Sequence, residues 1–379
     1  MHNSSRILIS GAGVAGLAAA LWLERGGFKP VIVERANNVR AGGFLVSLSH
    51  HAFHSAAQLG IVDALKARGC GITGSSYHDE HRRLLKLHGE TLFGGVDVVQ
   101  IMRDELVAVL FEQARERVEI RFEDSISRIE QNADSVMVAF SAHADEEYDA
   151  VIGCDGLHSA VRTLAFDQTS ITEHYLDLRC AAFRSDNVLG LHDEFQTHMR
   201  RDRYMATFNT GADDIGNVFV WASNDHATPP LQGRQQILKA AFEGAGGEIE
   251  QVVAQCPESD IYMDTLKQIE ARSWVNGRVA VVGDAAHCLT LFSGRGAGAA
   301  FNGGTRIAQA LIEHDVADAF AAYEASMRPI IEDIQPATRS AVRWYVPRTW
   351  FKETLRNNAM RWLPNAVFNR YFQAKYTNI

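Results

Sequence analysis

The 379-residue chain carries no CxxC pair among its five cysteines, Cys70, Cys154, Cys180, Cys256 and Cys288. An odd, scattered set argues against a disulfide framework or a cysteine zinc module and reads as reduced thiols. No apolar run approaches the roughly 20 residues that a membrane-spanning helix needs. The opening MHNSSRILIS runs straight into a strand pattern, without a signal-peptide layout. The expectation is a cytoplasmic protein. Positive charge is also short: the net charge of −9 argues against a nucleic-acid or anionic-membrane surface. His50, His51 and His54 gather around an expected helix start, and no further HxxxH and no Cys/His cluster follows them, so no metal is expected. There is no tandem repeat and no low-complexity tract. What is present is 46% hydrophobic residues, enough for a sizeable core, on a length that suggests two packed domains plus extensions.

The first informative stretch is RILISGAGVAGLAAALWLERGGFKPVIVER. It reads as a strand at Arg6–Ser10, a glycine turn, a helix over Val14–Arg25 and a second strand at Lys29–Val33. Gly11, Gly13 and Gly16 form GxGxxG. Gly11 permits the sharp turn, Gly13 lets the backbone approach a pyrophosphate, and Gly16 lets the helix pack on the sheet. The helix N-terminus attracts phosphate. Glu34 ends the second strand about 20 residues on, where a carboxylate can accept ribose hydroxyls. This unit implies dinucleotide binding and does not separate NAD from FAD.

Two further units repeat the theme of a strand ending in an acid. In DAVIGCDGLHSAVR, the strand Ala150–Cys154 ends in Asp155-Gly156, with Ser159 and Arg162 on the helix that follows. In VVGDAAHCLTLFSGRGAG, the strand Arg278–Val282 ends in Gly283-Asp284 and leads to Gly294, Gly296 and Gly298. Each aspartate can accept from ribose or ribityl hydroxyls, or can cap a helix. The glycines can aim backbone N–H groups at a flavin ring.

GAGVAG with Glu34-Arg35, CDGLHSAVR, and GDAAH followed by SGRGAG together resemble the single-component FAD-dependent aromatic hydroxylases, with the 4-hydroxybenzoate hydroxylase fold. The likeness runs from about Arg6 to Pro329. The tail Arg348–Ile379 is similar to that of the tetracycline-inactivating flavin monooxygenases, where a last helix bridges two domains. The resemblance implies that Gly11, Gly13, Val14, Ala15 and Gly16 hold the pyrophosphate. It places Glu34 on the adenosine ribose, with Arg35 near the adenine and Arg40 in the same cofactor-binding set. It takes Arg103 to the phosphate–ribose region and the Ile126 backbone to adenine. Asp284 falls on the ribityl–phosphate region, and Gly296 and Ala297 on the pyrimidine edge of the flavin. Asp155, Gly156 and Arg162 belong to the motif linked to FAD and NAD(P)H. Two positions depart from the family pattern, which commonly has proline at Leu291 and often asparagine at Gly298.

The implied fold is α/β. A Rossmann-like FAD-binding domain comprises residues 1–73, 101–171 and 267–345. Residues 74–100 and 172–266 form an inserted antiparallel-sheet substrate domain, and 346–379 a C-terminal helical extension. The alternating runs in CAAFRS, EFQTHMR, RYMATFNT and NVFVWAS support the insert. RRLLK is expected to be a solvated strand or turn. The implied reaction uses NADPH or NADH to reduce FAD. Dioxygen then adds to give a flavin C4a-hydroperoxide, which hydroxylates an aromatic or polyketide-like small molecule. No protein nucleophile is needed, and no catalytic side chain is assigned. Arg203 and Phe292 are the substrate-binding candidates, and His287 is expected to serve structure. A monomer or homodimer is expected. Two other readings compete: FAD in a structural or sensing role, and a halogenase, for which the sequence has no WxWxIP pattern.

Overall fold

The computed structural model describes residues 5–39, 43–88, 97–368 and 370. Its frame is a six-stranded sheet. The strand Arg6–Ser10 lies between Lys29–Glu34 and Ala150–Gly153, and all three run parallel. Glu119–Phe122 continues the sheet on one side and Val279–Val281 on the other, also parallel, and Val275–Asn276 closes the edge antiparallel. Ile7–Ile9, Val31–Val33 and Ala150–Ile152 are all buried, as expected of parallel strands covered on both faces. The helices Val14–Arg25 and Gly296–Glu313 pack on this sheet within one apolar cluster. They approach closely because Gly304 faces the backbone of Ala15, where a Cβ would come within 2.2 Å of the Ala15 oxygen.

Chain order in the sheet reverses at Arg6–Ser10. The next strand lies to one side of it and the two later acid-bearing strands lie to the other. Ligands bind at such a switch point, outside the carboxyl ends of the strands. Glu34, Asp155 and Asp284 follow three of these ends.

A second sheet has seven strands: Tyr262–Ala271, Ile171–Asp186, Asp214–Ala222, Arg203–Asn209, Glu194–Arg200, Gly74–His78 and Arg83–His88, in that spatial order. It is antiparallel except where Glu194–Arg200 runs parallel to Gly74–His78. The alternation seen in the sequence sorts its side chains. Met205, Phe219 and Trp221 face the helices Arg234–Ala241 and Gly247–Ala254, while Tyr204, Ala206 and Phe208 belong to the opposite face. RRLLK is not solvated throughout, because Leu84, Leu85 and Leu87 are buried in that edge strand. Residues 171–175 pair with 267–271, so one continuous strand pair crosses the places where a domain boundary was expected.

The helix Trp350–Trp362 lies against the second sheet. The buried guanidinium of Arg356 donates to the carbonyls of Tyr345 and Met199 and so ties the tail to the chain before it.

Candidate active site

The Gly11 turn is built by close approach. Gly11 has φ +105°, and a Cβ there would lie 2.5 Å from the Cys154 oxygen. At Gly16 a Cβ would lie 2.0 Å from the Gly11 oxygen. Gly13 differs, since a Cβ there would meet no protein atom within 4 Å. Its missing side chain leaves open space in a cavity. Glu34 stands beside it. One carboxylate oxygen accepts from Ala12 N–H at 3.0 Å and the other from Ala36 N–H at 2.9 Å. The carboxylate is thereby held at the strand end with lone pairs left for a ligand.

Two lobes of the cavity meet at Gly13, Arg103, Cys154 and Gly156. The smaller, about 190 Å³, is bordered by Glu34, Arg35, Ile126 and Asp155. The larger, about 360 Å³, passes Val14 and Ala15 to Asp284, Gly296 and Ala297, then reaches the second sheet. Arg103, the first residue of its helix, borders both lobes. Arg40 lies outside the described residues.

The three acids differ in what they do. Asp155 accepts from Ser159 Oγ and from the N–H groups of Ala160 and Val161, so its side chain caps the helix Ala160–Ala165. Asp284 opens on the cavity but is enclosed by protein beyond it. It is exposed on that side, and the protein packed behind it raises its carboxyl above the ordinary value, against the opposing pull of Arg103. Arg162 is a brace: it donates to the Ala285 carbonyl at 2.8 Å and the Leu157 carbonyl at 2.7 Å, locking the second motif to the third.

The third motif ends in an unusual loop. Thr290 has φ 64° and ψ 164°, a conformation costly for any residue but glycine. A short turn over Leu291–Ser293 follows, and then the helix from Gly296. A Cβ at Gly296 would meet nothing within 4 Å, and one at Gly298 only ordinary contacts. The start of an 18-residue helix, whose first N–H groups have no partner within the helix, therefore borders a cleared part of the cavity. An acid at the smaller lobe, cleared glycines at two helix starts and an arginine between the lobes fit an elongated dinucleotide.

Residues 4–338 match the family described as FAD binding domain. A flavin-dependent monooxygenase from an unknown prokaryotic organism is 34% identical over 341 residues, 88% of this chain and 87% of its own length. The chain belongs to the FAD-dependent monooxygenases. The crystal structure of tetracycline destructase Tet(51) superposes on this monooxygenase with a TM-score of 0.82 at 26% identity, covering 99% of this chain and 98% of that one. Klebsiella pneumoniae HpxO, complexed with FAD and uric acid, shares the fold with a TM-score of 0.86 at 20% identity, covering 99% of this chain and 97% of that one.

Arg203 does not reach the cavity of the monooxygenase. It lies on the Met205 side of its strand, and its guanidinium donates to the Glu243 carbonyl at 2.9 Å, beyond the helix Arg234–Ala241. The physical reason is the two-residue period of a strand: Tyr204 faces the cavity, so Arg203 cannot. Phe292 does border the larger lobe, where it meets Tyr204 edge-on at 5.4 Å and stacks with Tyr345 at 5.7 Å. His287 is buried with its ring 4.8 Å from Trp274, and burial pushes its imidazole down to about 4. Cys288 borders the cavity, but burial holds its thiol well above the usual range, in the protonated form.

The sequence reading missed the far wall: Tyr77, Phe195, Thr197, Tyr204, Phe208 and Tyr345. A signal was present. Phe195 and Thr197, and Tyr204, Ala206 and Phe208, fall on alternate positions of the strand-like runs EFQTHMR and RYMATFNT. Their parity shows which residues share a face, but not which face meets the cavity.

Proposed function

We propose that this FAD monooxygenase uses NADPH or NADH to hydroxylate a flat, largely apolar aromatic or polyketide-like molecule, held between the glycine loop and the second sheet. The observation that carries this reading is the continuity of the larger lobe, which runs from Gly296 and Ala297 to the aromatic wall. The tetracycline destructase likeness supports it, since the name of that protein concerns a polycyclic polyketide.

Gly11, Gly13, Val14, Ala15 and Gly16 would hold the pyrophosphate, Glu34 the ribose, and Arg35 and Ile126 the adenine end. Arg103 would neutralise phosphate charge where the lobes meet, and Asp284 would accept from the ribityl chain. Bound FAD supplies the redox chemistry, accepting electrons from the reduced nicotinamide and activating dioxygen. The chain supplies position and dryness. N–H groups at Gly296 and Ala297 would stabilise negative charge at the pyrimidine edge. Phe292, Tyr204 and Tyr345 exclude water and offer ring faces to a planar substrate. Residues 74–100 and 172–266 would together act as the substrate domain.

The test is NADPH and NADH oxidation by the yellow protein against a panel of phenols and polycyclic polyketides. Stimulated oxidation with product gaining one oxygen atom supports the reading. Oxidation that no compound stimulates, with all electrons appearing as peroxide, defeats it.

A further inference from the structure

The reverse face of the second sheet carries a cluster that the flavin chemistry does not use. His78 and His198 are directly paired across the parallel strands Gly74–His78 and Glu194–Arg200. Their neighbours Tyr77 and Thr197 border the cavity, so strand parity puts both imidazoles on the opposite side. The rings lie 5.0 Å apart at 35°. Glu248, in the first turn of the helix Gly247–Ala254, reaches the same place. One ligand atom from each of the three residues lies within 4.8 Å of the others.

We propose that His78, His198 and Glu248 form a site for a divalent transition-metal ion, with zinc as the natural occupant, that ties two strands of the cavity wall to the covering helix. Donors about 2.0–2.1 Å from a tetrahedral zinc ion stand roughly 3.3 Å apart, so small side-chain rotations close the cluster on an ion. His198 is 3% exposed, and its Nε2 stands 3.0 Å from a Glu248 oxygen. A buried imidazole nitrogen 3.0 Å from a carboxylate oxygen is in position to share a cation with it.

The supporting contacts are those of a metal centre. Gln196 Nε2 donates to Glu248 Oε2 at 2.7 Å and orients the carboxylate. His78 Nε2 and Ser76 Oγ lie 3.0 Å apart, which fixes that ring. Two imidazoles and one carboxylate favour zinc, cobalt or nickel over calcium or magnesium. Two imidazoles here lie 120 residues apart in sequence, and Glu248 lies further on, so no short spacing announces them.

The experiment titrates Zn²⁺ into the full FAD-loaded chain, previously stripped with chelator, and follows heat and melting temperature. The expected result is one tight equivalent, a higher melting temperature and no comparable response to Mg²⁺. His78→Gln and Glu248→Gln, at half-buried positions, should each weaken binding by more than the roughly 10–100-fold that loss of an outer partner brings. Circular dichroism and bound FAD report that the variants are folded. Co²⁺ loading of the unaltered protein adds a readout that needs no variant, because the ring protons of His78 and His198 should show large paramagnetic shifts. Absence of a saturable equivalent, binding unchanged in both variants, or unshifted His78 and His198 protons each overturns the site. None of these readouts depends on the oxygenase reaction.

Discussion

At the scale of single residues, the glycines of the first motif separate two roles that the pattern alone merges. A side chain at Gly16 collides with the Gly11 oxygen, whereas one at Gly13 enters only open cavity. Gly16→Val should therefore lower the melting temperature sharply, since backbone must move. Gly13→Val should leave the apoprotein's melting temperature within a few degrees and abolish FAD retention on gel filtration; a Gly13→Val protein that stays yellow would show that the phosphates lie elsewhere. Glu34 also carries a structural duty, because it accepts from two backbone N–H groups. Cys288 and His287 bear on how FAD is held. The first is a protonated thiol and the second packs on Trp274, so neither is set up to attack a flavin. Acid precipitation is expected to release the yellow colour to the supernatant, and colour in the pellet would indicate a covalent link.

Elements position what residues cannot. The start of the helix Gly296–Glu313 is placed by the strained Thr290 and the short turn after it, and Arg162 clamps the neighbouring segment to the second motif. Because a Cβ at Gly296 meets no protein atom, Gly296→Val should fold normally yet slow nicotinamide-driven flavin reduction at least tenfold, about 1.4 kcal/mol of barrier. Stopped-flow flavin absorbance measures it, and parent-like reduction would remove this loop from the flavin. Leu291 begins the turn, a place that tolerates a residue lacking N–H. Strand parity makes the converse case. Arg203→Ala should leave substrate-stimulated turnover within about twofold of the parent, because the side chain lies behind the sheet; a larger loss of kcat/KM would mean that Arg203 acts through the wall.

On the scale of the whole molecule, buried His287 couples folding to pH. Burial holds its folded imidazole at about 4, against an ordinary value of 6.5. Between those values the unfolded chain binds the extra proton, so stability falls as pH drops through 6.5 toward 4. From pH 7 to pH 5 the loss from this group is about 2 kcal/mol. Urea unfolding at the two pH values should show it, and His287→Gln should shrink the difference by about that amount. An identical pH dependence in parent and variant would show that the ring is solvated.

The dinucleotide-binding half was legible in the sequence because its constraints are local. A glycine must stand where a Cβ would lie 2.0 Å from a carbonyl oxygen, and an acid ends the strand beside it, whatever the rest of the chain does. The strands at Arg6–Ser10 and Lys29–Glu34 and the helix Val14–Arg25 follow from such rules. The far wall and the sheet's reverse face were not legible, because they depend on which side of a seven-stranded sheet the helices cover. Period-two alternation grouped Tyr204 with Phe208 and Arg203 with Met205, but only packing of Phe242 and Ile249 against one group left the other to the cavity. The same packing brought His78, His198 and Glu248 together across 170 residues of chain. Sequence determined the glycine turn through steric rules that act within a few residues. Tertiary structure decided the far wall of the cavity through burial, which no short stretch contains.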